Sequence, residues 1–160
     1  MNQKRISRLL IGAGGIAVLG ILVLFGVYAP VLAVEMRTMY PDYAALYWPG
    51  LIGVECCGAL FLLALAEYFR VCFRIGQGHS FCLENVRSLN RIAAYLGVFG
   101  CMWLCFIFAP GLFFGLDIGP VWVVFLLCAM AGFALSMLAW GLGRLLRHAV
   151  EIQEENELTV

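Results

Sequence analysis

Four stretches of the chain are apolar at nearly every position, without the alternation that marks a half-buried strand or the narrow stripe of a soluble helix. They run from about Leu9 to Val34, Ala44 to Phe69, Ile92 to Leu116 and Val121 to Gly143. A bilayer core about 30 Å thick is crossed by about 20 residues of helix, and each stretch reaches that length. Backbone groups in hydrocarbon must bond within their own segment, so all four predict helices. The pattern predicts an all-α membrane protein with four transmembrane helices, one domain over residues 1–160.

Polar positions gather between and beyond these stretches, and their charge gives a direction. Lys4, Arg5, Arg8, Arg70, Arg74, Arg87, Arg91, Arg144 and Arg147 fall on one side, against Arg37 alone on the other. By the positive-inside rule both termini, the loop 70–91 and the tail 144–160 are expected in the cytoplasm. Residues 35–43 and the turn Asp117-Ile118-Gly119-Pro120 are then expected outside. Aromatic residues agree, with Tyr40, Tyr43, Tyr47 and Trp48 at one interface and Tyr68 and Trp140 near the other.

Composition supports lipid as the main solvent. Of 160 residues, 64% are hydrophobic and only 12% charged, against about 25% charged in a soluble domain. Mean hydropathy is +0.96. The first stretch, with a basic start and Val31-Leu32-Ala33 near its end, has the outline of a cleavable leader. Its apolar run exceeds the roughly 7–15 residues of a leader, so a retained span is expected.

Seven cysteines, at positions 56, 57, 72, 82, 101, 105 and 128, sit almost entirely in apolar stretches, where Cys acts as a small hydrophobe. No disulfide framework, metal site or cofactor is expected, because neither Cys56-Cys57 nor Cys101-x-x-x-Cys105 has further ligands at zinc-site spacing. Pro30 and Pro110, each after an alanine near the outward end of a span, predict kinks. Gly111-x-x-x-Gly115-x-x-x-Gly119 and the cluster Gly12, Gly14 and Gly15 predict close approach of helices, within one chain rather than across a dimer seam.

Two glutamates lie in the second span. Glu55 is near its middle, where a carboxylate costs at least about 2.5 kcal/mol, and no Lys, Arg or His lies at comparable depth. A transporter would supply more than one ionisable group along its path. The residues therefore favour a structural carboxyl group or the wall of a polar cavity over a proton relay. If Glu55 faces lipid, a second copy of the chain is expected to cover it, making a homo-oligomer. Glu67 lies close to the basic side and is expected to pair with Arg70 on the helix surface.

After the second span, Gly76-Gln77-Gly78-His79-Ser80 breaks the helix, and Ser80 is a candidate N-cap. Phe81 follows, and Cys82, Val86 and Leu89 recur at i, i+4 and i+7. This predicts an amphipathic segment on the membrane surface that turns into span three. His79 reads as a solvated loop residue. In the tail, Leu142, Leu145, Leu146, Ala149 and Ile152 predict a helical stripe continuing span four. The end, Glu154-Glu155-Asn156-Glu157-Leu158-Thr159-Val160, reads either as a solvated acidic tail or as a docking peptide for a basic partner. Nothing pairs a nucleophile with a base or forms a phosphate loop, so no enzyme is expected. No basic face large enough to bind nucleic acid directly is present.

The tail from Arg144 to Val160 resembles the closing pattern L-L-x-x-A-x-x-I-x-x-E-N-D/E-L-T-V of a bacterial family of small four-helix membrane proteins, a domain of unknown function. Pro49, Phe81, Val86, Leu89 and Ile92 extend the resemblance over nearly the whole chain. Members of that family are often encoded beside small Cro-type helix-turn-helix regulators. The resemblance thus implies an inner-membrane accessory or signalling partner of such a regulator, with the E-N-E-L-T-V end as contact. A small transporter or immunity-type protein with Glu55 in a polar cavity is the alternative.

Overall fold

The computed structural model describes residues 3–39, 41–78, 81–115 and 121–158, and every regular element within them is helical. Helix α1 (Gln3–Val23) passes through a π turn (Leu24–Tyr28) into α2 (Ala29–Met39). A 3-10 segment (Pro41–Leu46) leads to α3 (Tyr47–Gly76), followed by α4 (Leu83–Phe114) and α5 (Val121–Leu158). Four stretches, Ser7–Met39, Ala44–Gly76, Leu83–Phe113 and Val121–Gln153, are long and apolar enough to cross a membrane. The chain is a multi-pass membrane protein.

The π turn has a local cause. The ring of Pro30 would meet the carbonyl four residues back, and a turn widened by one residue relieves that crowding. The Ala29 N–H accordingly bonds the Leu24 carbonyl, five residues earlier. Pro110 lies buried inside α4, which runs on to Phe114 and ends at Gly115 in the left-handed region, φ +63°. There the Gly115 N–H caps the Gly111 carbonyl.

The extensive interfaces are α1 on α3, α3 on α4 and α4 on α5, so the bundle packs in chain order. Each outer helix therefore leaves a long apolar face open. Leu9, Ile16 and Leu19 of α1, and Leu127, Met137 and Leu138 of α5, are at least 60% exposed. Such faces would be costly in water, at about 25 cal/mol per Å². Against acyl chains they cost nothing, and packing between the helices must come from close fit and hydrogen bonds.

That fit is made by glycines other than most of those expected. A Cβ on Gly132 of α5 would lie 2.8 Å from the Phe99 ring and 3.1 Å from the Gly100 backbone of α4. Gly143 sits over Val86, Leu89 and Asn90, and the Ser136 hydroxyl donates to the Ala93 carbonyl at 2.6 Å. Gly53 lies under Phe106, Gly58 under Phe25, and Gly14 against Tyr68 and Phe69. Gly12, Gly15 and Gly115 would meet nothing within 4 Å, and Gly115 serves as a cap. Of the expected close-packing glycines, Gly14 thus approaches a neighbour and Gly12, Gly15 and Gly115 do not; Gly119 lies outside the described residues. At mid-bundle Trp103 packs edge-on to Phe99 and Phe106 and tilted against Phe125, joining α4 to α5 through rings.

Candidate functional site

The pairings fix which residues share a level. Glu67 of α3 meets Arg91 of α4, Tyr68 donates to the Leu10 carbonyl of α1, and Gly143 of α5 meets Asn90. Arg144 lies 4.4 Å over the Trp140 ring. A plane through Leu10, Glu67, Arg91 and Trp140 thus carries arginines and amphipathic aromatics, the composition of a lipid–water boundary. At the other end of the bundle Arg37 lies 5.2 Å over Tyr47, which packs edge-on against Trp48. From Tyr47 to Glu67 is about 30 Å of helix at 1.5 Å per residue, one hydrocarbon thickness.

The buried polar residues Ser7, Glu67, Asn85 and Ser88 all lie at or beyond the arginine-rich plane. Glu67 is the centre. Its Oε1 accepts from Arg70 at 2.5 Å and from Arg91 at 3.0 Å, binding one turn of α3 to the neighbouring helix. The Glu67 side chain is 4% exposed, while both arginines are more than half exposed. Its other oxygen, Oε2, is buried without a hydrogen bond. One carboxylate oxygen thus serves two guanidinium groups, and each arginine keeps spare N–H donors facing outward.

A second layer lies one to two turns farther from the membrane. Arg74 pairs through Nε with Glu84 at 3.1 Å, and its Nη1 donates to the Ser88 hydroxyl at 3.1 Å and to the Asn85 side-chain oxygen at 3.4 Å. The Ser7 hydroxyl donates to the Cys72 carbonyl at 2.9 Å, tying α1 to the same knot. Beyond the membrane plane, α1, α3 and α4 therefore meet through satisfied polar contacts around buried Cys72 and Val86.

This arrangement corrects several expectations. Glu67 does pair with Arg70, but as a buried carboxylate shared with Arg91, not on the helix surface. Residues 83–91 form no separate surface helix, because α4 is continuous from Leu83. Its N-cap is Cys82, with an extended backbone, while Ser80 and His79 lie outside the described residues. Val86 is buried, Leu89 half-buried and Phe81 59% exposed. In the tail the buried positions are Gly143 and Val150, with Leu146 half-buried. Leu142, Leu145 and Ile152 of the expected stripe are exposed.

Glu55 is half-buried on α3, at a level bracketed by the Gly53–Phe106 and Phe61–Phe99 contacts. Among the described residues it has no hydrogen-bond partner and no ion pair. It does not line the shallow apolar depression on α1 around Ile16, Leu19 and Gly20. Of the terminal residues, α5 continues as backbone helix to Leu158, and Glu155 has an interaction partner. The side chains of Glu154, Asn156, Glu157 and Leu158, and all of Thr159 and Val160, lie outside the described residues.

A family model described as "Protein of unknown function (DUF2975)" matches residues 31–160. The chain belongs to this family. The match begins at Val31 in α2, so a DUF2975 domain here takes in α3, α4, α5 and the Glu67 cluster, with α1 and the π turn preceding it. No curated protein and no solved structure matches the chain.

Proposed function

We propose that this DUF2975 protein is a non-enzymatic membrane accessory, oriented with its arginine-rich end in the cytoplasm, where the end of α5 docks a small helix-turn-helix regulator. The observation that carries this reading is the overhang of α5. From Gly143, which packs against Val86, α5 continues to Leu158, about 22 Å at 1.5 Å per residue. Helix α4 has only about 5 Å of helix on the far side of Val86, from Leu83. The last two turns of α5, past buried Val150, therefore extend beyond the start of α4.

The overhang carries Glu151, Glu154, Glu155 and Glu157, with Ile152 47% exposed among them. A DNA-binding regulator presents a basic surface to phosphate, so an acidic helix with an apolar anchor is a matching ligand. The nine-to-one split of basic residues supports the cytoplasmic placement. Deleting residues 151–160 is expected to abolish co-purification of a co-encoded regulator while membrane insertion, set by the four spans, is unchanged. Equal recovery of the regulator with the truncated protein would refute the docking role.

A further inference from the structure

We propose that Arg70 and Arg91 form a binding site for the phosphate of an anionic phospholipid, with an acyl chain lying along the exposed apolar positions of α3 and α4 below them. Both arginines reach the same oxygen of Glu67, so their guanidinium groups stand side by side on one face of the bundle. Two positive charges there share one carboxylate, which leaves one charge unbalanced. Each side chain is more than half exposed. A guanidinium has five N–H donors, so most of those on this pair are directed at whatever lies outside, at the level where lipid phosphates lie. Because the buried Glu67 fixes both positions, little conformational freedom remains to be lost when a phosphate binds.

The surface beneath the pair suits the rest of a lipid. Exposed positions recur at Arg70, Ala66 and Leu63 on α3 and at Arg91, Ala94 and Val98 on α4, spacings that keep each set on one helix face. Ala66 and Ala94, exposed about one turn below the arginines, add little bulk to the surface there. Leu63 and Val98, each about half exposed, continue this apolar surface two turns deeper. A free phosphate would use the arginines alone, whereas a phospholipid uses both the arginines and the apolar surface below them.

The test is native mass spectrometry of the full chain in detergent, titrated with phosphatidylglycerol or with phosphatidylcholine of the same acyl chains. A juxtamembrane basic residue contributes about fivefold in affinity for anionic lipid. Preferential binding of phosphatidylglycerol by about tenfold or more is expected. Glu67→Gln keeps an acceptor oxygen for both arginines but ends the sharing of charge, so it should strengthen the preference. The triple variant Glu67→Gln/Arg70→Gln/Arg91→Gln strands no buried charge and so should keep its fold, and it should lose the preference. Arg147→Gln, away from the pair, should leave the preference unchanged. Equal binding of the two lipids, a preference that survives the triple variant, or an equal loss in Arg147→Gln would overturn the proposal. So would displacement of phosphatidylglycerol by millimolar inorganic phosphate, which would make the occupant a free anion.

Discussion

Replacing Arg70 and Arg91 together by alanine is expected to destabilise the protein by about 3–5 kcal/mol, the cost of leaving a buried charge without its partners. The stranded group would be Glu67, whose side chain is 4% exposed and whose Oε1 accepts from both arginines. The reverse change should be much milder. Glu67→Gln leaves two arginines that are already more than half exposed and can turn to water or lipid phosphate, so about 1 kcal/mol is expected. Thermal unfolding of the two variants in detergent, followed by tryptophan fluorescence, checks the order. If Glu67→Gln were the more damaging, Glu67 would not be the buried and dependent partner.

Gly132→Leu is expected to force α4 and α5 apart. The first side-chain atom would already fall 2.8 Å from the Phe99 ring and 3.1 Å from the Gly100 backbone, and backbone cannot swing away as a flexible side chain would. Overpacking of this kind costs about 1–3 kcal/mol or more, and here it acts on the most extensive interface in the bundle. Gly141→Leu is the matched control. A Cβ there would meet nothing within 4 Å, so the same change should be neutral or slightly stabilising. The fraction of each variant recovered as a single sharp species after detergent extraction separates the two cases.

Both effects depend on register between helices, which marks the limit of what was legible in the amino-acid pattern. The four spans were plain, because hydropathy is a property of each segment alone. So was Glu67 with Arg70, three residues apart on one helix. Arg91, 24 residues from Glu67, joins them only because α3 and α4 run antiparallel in one register, and nothing local encodes that. The start of α4 misled for a related reason. Glu84, Arg87, Ser88 and Arg91 read as the wetter faces and Val86 and Leu89 as the dry side, but Ser88 and nearby Asn85 are almost wholly buried, next to Arg74. Val86 is buried as its spacing implies, but polar residues share the buried face with it.

The tail does continue span four as one helix to Leu158, but Leu142, Leu145 and Ile152 of its stripe are exposed. Both sides of α5 near Leu142 and Leu145 are apolar, and the buried contact at that level is a glycine, Gly143, which has no side chain to register in a hydrophobic pattern. The same holds for the close-packing glycines. Which glycine meets a neighbour depends on how each helix is rotated, so Gly100 and Gly132 meet while Gly12, Gly15 and Gly115 have nothing within 4 Å of a Cβ. Glu55 is half-buried on α3, a polar group within an apolar span.

The proposed orientation is tested most directly by alkaline phosphatase and green fluorescent protein fused in turn after residues 38, 78 and 158 in bacterial cells. Fluorescence without phosphatase activity at 78 and 158, and phosphatase activity without fluorescence at 38, is the predicted result. Phosphatase activity at 158 or 78 would place the arginine-rich end outside and contradict both the orientation and the docking role of α5.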